Sequence, residues 1–176
     1  WAALPRHIIS PVNNKSIVGI FQDSLLGSFR LTRENIKFNM RTAMNLLMSN
    51  RDVNPKLFKN PKKIINSFQL LSEIIPPLSA KFKNGQDGEN NTIEIKNGVY
   101  KNGQLDKDAL GSGSKGLIQS IFNDFGFQAS ADFINNLQNI VTDYMKLSSY
   151  SVGISDLISD NETNKKIADA ILAKKK

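Results

Sequence analysis

The sequence predicts an α+β fold in a single domain, and three features of the chain support this class. Apolar residues recur at helical spacing in several stretches, and shorter stretches alternate as strands do. Asn97–Gly98, between two such strands, is a strong hairpin signal. The length of 176 residues suits one domain, or one domain with a short appendage, and no long linker divides it. We therefore expect short strands and hairpins packed with about five helices.

The first third of the chain is predicted to contain a buried strand followed by a helix. Ile17–Asp23 begins with β-branched and apolar residues, which favours a strand, and Gly27–Ser28 would break it. Thr32 is suited to cap a helix that continues to Met48. The apolar face of this helix would carry Ile36, Met40, Met44 and Leu47.

The middle of the chain is predicted to form a helix, a loop and a hairpin. Asn60–Pro61 is a helix start signal, and Pro76–Pro77 would end that helix. Residues 83–91 are polar and contain glycine, which indicates an exposed loop. The hairpin would join Thr92–Lys96 to Val99–Tyr100, with a second turn up to Gly103. The apolar face of the predicted helix would carry Ile64, Ile65, Phe68, Leu70 and Leu71.

The last third is predicted to be mainly helical. Ser114, in the glycine-rich turn Gly111–Gly116, is suited to cap a helix that Gly126 ends. The longest helix would follow, and Asp160 would cap a last helix with an acidic start and a lysine tail. The apolar stripe of the longest helix would carry Phe133, Leu137, Ile140, Val141, Tyr144 and Leu147.

Composition limits the classes of function. Cysteine is absent and His7 is the one histidine, which leaves too few ligands for a structural zinc site. No stretch approaches the roughly 20 apolar residues of a membrane span. The formal net charge is +7, and a lysine-rich surface attracts polyanions, so nucleic acid or nucleotide is the expected class of partner, although a merely soluble basic protein fits the charge about as well.

The residues alone indicate no catalytic centre. Gly111–Gly116 departs from the phosphate-loop pattern, since Gly116 follows Lys115 where Ser or Thr should bind magnesium. The same turn can still hold a phosphate through free amides and Lys115, but a flexible turn with a capped helix explains it as well. Asp23 and Asp106 are isolated carboxylates, and two such groups do not make a metal site. We interpret His7 as structural, because a general base needs partners that this sequence does not provide.

Two consecutive motifs near the start carry a family resemblance. Pro5–Lys15, with its apolar pair, Ser-Pro and Asn-bearing turn, is followed by Val18–Leu25, which contains Gln22–Asp23. Together they resemble a signature of the largest subunit of multisubunit DNA-directed RNA polymerase, in the eukaryotic, archaeal or large DNA virus form. Ser16, Asp108 and Ser155 depart from the pattern of that family. Later matches, in order, are Asn60–Lys63, Gln69–Ser72, Ile75–Pro76, Asn97–Gly103, Leu110–Ser112, Gly116–Ile118 and Ser151–Asp156.

The resemblance implies a pore domain over residues 1–150 and the start of a funnel domain over 151–176. Such a pore borders the channel through which nucleoside triphosphates enter and the RNA 3′ end is extruded during backtracking. The implied partners are other polymerase subunits, the DNA template and a cleavage factor of the elongation-factor S type, with no membrane. The implied location is the nucleus for a cellular protein, or a cytoplasmic factory or virion for a viral one.

The resemblance also implies roles for particular residues. Asn14 and Lys15 should lie near the catalytic loop, and Gln22 and Asp23 should support it, or only tie strands together. Lys107 and Lys115 are the candidates for contacting extruded RNA. No cofactor is expected in this segment, because the catalytic magnesium should be held by an aspartate loop that precedes Trp1.

Two other hypotheses stay open from the residues alone. A stand-alone nucleic-acid-binding module would bind single strands as an isolated chain, with strong salt dependence. A structural scaffold would instead use its basic surface to dock protein partners.

Overall fold

A computed structural model describes residues 2–50, 53–60, 62–83 and 92–175. The α+β class is confirmed: the described residues form six α-helices and seven short strands. The strands are β1 Ile9–Ser10, β2 Lys15–Ser16, β3 Lys37–Phe38, β4 Ile65–Asn66, β5 Ala80–Lys83, β6 Thr92–Lys96 and β7 Val99–Asn102. The helices are α1 Gln22–Leu31, α2 Met40–Leu47, α3 Ser67–Ser72, α4 Lys107–Leu110, α5 Leu117–Ser148 and α6 Asn161–Lys174.

The strand predicted over Ile17–Asp23 is wrong. The preceding residues form a small antiparallel hairpin of β1 and β2, and the chain then runs without regular structure up to Phe21. A strand needs a neighbour along its length, whereas this segment makes single backbone bonds, such as the one from Ile20 N to Leu110 O at 2.8 Å. Gln22 then takes a left-handed φ of 51° and begins α1.

Gly27 and Ser28 lie buried inside α1 and do not break it. Gly27 faces α5 so closely that an added Cβ would lie 2.5 Å from Val141 Cγ1. Ser28 satisfies its hydroxyl within the helix by donating to Ser24 O at 2.7 Å. Gly27 therefore lets α1 and α5 pack closely, and the two residues predicted to end a strand lie within a helix.

The helix predicted from Thr32 to Met48 is wrong in its start. Thr32 follows the last residue of α1, where its hydroxyl donates to Ser28 O at 2.8 Å and accepts from Leu105 N at 3.0 Å. Asn39 caps α2, since its side chain accepts from Thr42 N at 2.8 Å. Met44, which was predicted on the apolar face, is 51% exposed.

The helix predicted at Asn60–Pro61 begins later, at Ser67. Pro61 lies outside the described residues, and the side chain of Asn60 accepts from Lys62 N in a turn. Ile65 is taken by β4, which pairs with β3 as an antiparallel neighbour, and Asn66 then caps α3. The helix ends at Ser72, before the two prolines, and Ile64 is exposed.

The predicted hairpin is confirmed and belongs to a three-stranded antiparallel sheet in the order β5-β6-β7, but its return strand continues through Asn102, where a second turn was predicted. Asn97 and Gly98 take the left-handed φ values of 47° and 77° that a tight hairpin turn requires. Ile93 and Ile95 of β6 face the core. Lys83 belongs to β5, and residues 84–91 of the predicted loop lie outside the described residues.

The long helix α5 forms one wall of the core. It begins after Gly116, and Ser114 does not cap it, so that prediction is wrong. Gly126 interrupts the helix with a φ of 87°, as its predicted role as a terminator required. The predicted stripe is buried except for Leu147, which is 63% exposed because it lies near the end of α5, beyond the packed region.

Asp160 caps α6 as predicted, accepting from Thr163 N at 3.4 Å.

Candidate nucleic-acid interface

The candidate site is built around α4 and the glycine turn that follows it. Asp106 caps α4, because its Oδ1 accepts from Asp108 N at 3.1 Å and from Ala109 N at 3.0 Å. Gly111 N donates to Lys107 O at 2.8 Å, and a Cβ at Gly111 would lie 2.4 Å from that oxygen. Only glycine therefore fits this approach, and the turn is held against α4.

An open groove of about 510 Å³ separates this turn from β5. Lys107 and Lys115 lie on the side of the turn, and Lys81 and Lys83 lie on the side of β5. Among the residues that the structure describes, the four lysines share the groove with one carboxylate, that of Asp108, so this described lining is positively charged. The remaining lining residues are Phe82, Ser112, Gly113 and Ser114.

The segment that contains Asn14 and Lys15 packs beside the same turn. Ser16 N, next to Lys15, donates to Gly113 O at 3.4 Å. Asn14 has a left-handed φ of 46°, and its carbonyl oxygen accepts from Gln119 Nε2 at 3.0 Å. The side chains of Asn14 and Lys15 are exposed, so these two residues adjoin the groove without lining it.

A second groove, of about 360 Å³, lies on the other side of α4. Gln22 and Lys107 both line it, together with an apolar wall from α1 that consists of Leu25, Leu26 and Phe29. Lys107 therefore lies between the two grooves. Asp23 is exposed in the first turn of α1 and lines neither of them.

The structure thus brings Gln22, Lys107 and Lys115 around one short segment, with Asn14 and Lys15 beside it. Sequence reasoning missed Lys81 and Lys83. Their alternation with Phe82 was a usable signal, since side chains two residues apart lie on the same face of a strand. Assigning Lys83 to a loop hid this pattern.

The exposed face of the sheet adds to the positive field. Glu94, opposite Lys81 in the register of β5 and β6, forms an ion pair with Lys96 at 3.0 Å. The hydrogen bond and the charge of Lys96 lower the pKa of the Glu94 carboxyl, and the charges of Lys81 and Lys101 lower it further. Glu94 therefore stays ionised; it forms its ion pair with Lys96 and attracts Lys81 without forming an ion pair with it.

A wider groove, of about 770 Å³, lies elsewhere, between the ends of α2 and α3 and the side of α5. Its lining, as far as the structure describes it, is rich in amide side chains and includes the carboxylates of Glu73 and Asp132, with no lysine or arginine among the described residues. Phosphate groups would be repelled there, so the lysine groove is the better candidate for a polyanion.

The described residues contain no group of three or more His, Asp or Glu side chains that could hold a metal ion. No helix among them is both long enough and apolar enough to cross a membrane.

Comparison with known proteins gives a consistent result. The family model of RNA polymerase Rpb1, domain 3, matches residues 7–157. The chain is also 28% identical to DNA-directed RNA polymerase II subunits RPB1-A and RPB1-B of Trypanosoma brucei brucei, over 177 aligned residues in each case. Each alignment covers 96% of this chain and 10% of the relative, so the chain spans about a tenth of the length of these curated relatives.

Proposed function

Because this chain belongs to the family of domain 3 of the RNA polymerase Rpb1 subunit, we propose that it lines the pore of a DNA-directed RNA polymerase. In this role it borders the channel through which nucleoside triphosphates enter and the RNA 3′ end is extruded during backtracking. The observation that carries the proposal is the lysine groove, which lies directly beside the segment that bears the family resemblance.

The chemistry of the groove suits a passage better than a reaction centre. Lysine ammonium groups are point charges on flexible stems, so they contact phosphates without fixing one geometry. Lys107 and Lys115 are both exposed, and contacts of this kind position a nucleic acid strand without reading its bases. We therefore assign the chain a binding and guiding role in RNA synthesis.

The bond-making step is assigned to residues outside this chain. Nucleotidyl transfer uses magnesium to stabilise the attacking and leaving oxygens. The described residues do not fit such an ion, since they bring no three carboxylate or imidazole groups together. We propose that the ion is held by an aspartate loop that precedes residue 1 in the parent polypeptide.

The proposed partners follow from this role. They are the other polymerase subunits, the DNA template, the extruded RNA, incoming nucleotides and a cleavage factor of the elongation-factor S type that enters the channel. For a cellular enzyme the proposed location is the nucleus, and for a viral enzyme it is the cytoplasmic factory or the virion. The relatives named above are subunits of RNA polymerase II, which supports the nuclear location.

The experiment that tests the proposal is Lys107→Ala in the intact polymerase. An exposed charge pair is worth up to about 1 kcal/mol, or roughly fivefold in an equilibrium constant. We therefore expect transcript cleavage after backtracking to change by about two- to fivefold, with little change in elongation on an undamaged template. Lys101→Ala is the matched control, because Lys101 is also exposed but lies on β7 and lines neither groove.

Transcript cleavage is measured on stalled elongation complexes, and elongation is measured after the same complexes are released from the stall. An elongation defect as large as the cleavage defect would contradict the proposal, because it would place Lys107 in the general machinery and not in the extrusion path. An equal effect of the Lys101 variant would contradict it as well.

A stand-alone nucleic-acid-binding module is the second candidate, favoured by the net charge of +7. Tight, salt-dependent binding of single strands by the isolated chain would support it over the polymerase role.

A further inference from the structure

We propose that Lys81 and Lys83 form the second wall of a phosphate-binding trough, so that an extruded RNA strand is contacted from β5 as well as from the α4 turn. This inference rests on the proposed function and adds to it a specific pair of residues and a defined path for the strand. Neither lysine belongs to the motifs that carry the family resemblance.

The first support is the geometry of β5. Lys81 and Lys83 are exposed, whereas Ala80 before them and Phe82 between them are half-buried. Side chains two residues apart on a strand are separated by about 6.5 Å on one face, a distance similar to the spacing of successive phosphates along an extended nucleic acid strand. The two ammonium groups can therefore meet neighbouring phosphates.

The position of β5 in the sheet is the second support. It is an edge strand, since it pairs with β6 alone in the described three-stranded sheet. Lys81, Phe82 and Lys83 of this strand line the groove, and the α4 turn forms the opposite side. At Gly113, on that opposite side, an added Cβ would have no atom within 4 Å, so the trough is open there. An open trough with two basic walls suits a strand that slides through it.

The third support is the charge balance within the described residues. None of Lys81, Lys83, Lys107 and Lys115 forms an ion pair there. Two described carboxylates near these walls have other partners: Glu94 forms an ion pair with Lys96, and Asp106 accepts the amide hydrogen bonds that begin α4. Asp108 alone lines the trough as an acid. The lysines therefore keep their attraction for an incoming polyanion.

These features favour a nucleic acid strand over an acidic polypeptide. Both walls offer lysine cations, spaced regularly on β5, and no arginine fork for a planar carboxylate is among the described lining residues. Such contacts read the backbone and not the bases, so the trough would accept any extruded sequence.

A crosslinking experiment in the intact polymerase tests the path. A photoreactive amino acid is placed at Lys83, at Ser114 on the opposite wall, or at Lys101 as the control. Each enzyme is then stalled with an extruded, labelled RNA 3′ segment. We expect RNA crosslinks from positions 83 and 114 and none from position 101.

The outcomes separate the inference from the proposed function. RNA crosslinks at 114 without any at 83 overturn the second wall and leave the proposed function standing. The absence of RNA crosslinks at both positions overturns both. Crosslinks from 83 to a protein partner in place of RNA also overturn the inference, because β5 would then be a docking surface.

Charge variants provide an independent readout. We expect K81E/K83E to reduce the population of the extruded state by about tenfold at low salt, with a smaller difference at high salt, since phosphate contacts weaken as salt rises. The K81R/K83R variant keeps the charge and should restore the population. If K81E/K83E and the native enzyme populated the extruded state equally, the second wall would be overturned. A loss of this population from Lys101→Glu as large as that from K81E/K83E would overturn it as well.

Discussion

Individual residues with left-handed backbone conformation show where local chemistry predicts structure and where it does not. Asn97 and Gly98 were predictable, because asparagine and glycine are the residues that tolerate the hairpin turn. Gln22, with a φ of 51°, was not, since glutamine has no such preference. Among the site residues, Lys107 was identified by resemblance and Lys115 by resemblance and by the glycine-rich turn, whereas Lys81 and Lys83 were missed because Lys83 was assigned to a loop.

Gly103 provides a test at this scale. Its φ is 96°, and an added Cβ would lie 2.6 Å from the Cα of Ile93. We expect Gly103→Ala to lower the free energy of unfolding by about 2–4 kcal/mol, through backbone strain and overpacking against β6. Urea unfolding of the purified chain measures the change.

Gly113→Ala is the matched control for this substitution. Nothing lies within 4 Å of the position of its added Cβ, and its φ is outside the left-handed region. We expect a change of less than about 0.5 kcal/mol, as for most surface substitutions. Equal losses from the two variants would contradict the close approach of Gly103 to β6.

At the scale of elements, capping and periodicity predicted the long elements better than the short ones. The second part of α5 and the hairpin were predictable because their signals are local. The start of α3 was mispredicted because either of two asparagines, Asn60 or Asn66, could cap a helix in this stretch. The pairing of β4 with β3 decides between them, and that pairing joins residues far apart in the sequence.

The capping box of α3 yields a prediction at this scale. The Asn66 side chain accepts from Phe68 N at 3.2 Å, and Gln69 Oε1 accepts from Asn66 N at 3.2 Å. We expect Asn66→Ala to lower the free energy of unfolding by about 1 kcal/mol, the usual cost of a lost cap. Denaturant unfolding of the purified chain provides the measurement.

Asn60→Ala is the control for the cap. Asn60 is exposed, and its side chain accepts from Lys62 N in a turn that begins no helix. A smaller loss is expected there, of no more than about 0.5 kcal/mol. If Asn60→Ala cost as much as Asn66→Ala, the assignment of the helix start would be wrong.

At the scale of the whole molecule, the basic groove is a product of tertiary structure. Its walls come from β5 and from the α4 turn, and the segment around Ser16 supports the turn from behind. Periodicity within one element cannot predict such an assembly, because it contains no information on which elements meet. The α+β class needed only local patterns, whereas the composition of the groove needed the fold.

One measurement tests the central claim most directly: a density map of the intact polymerase stalled with an extruded RNA 3′ segment. The account predicts that RNA phosphates lie in the groove, within about 3 Å of the ammonium groups of Lys107 and Lys115. A map in which the RNA follows another route, while this groove is filled by a neighbouring subunit, would contradict it.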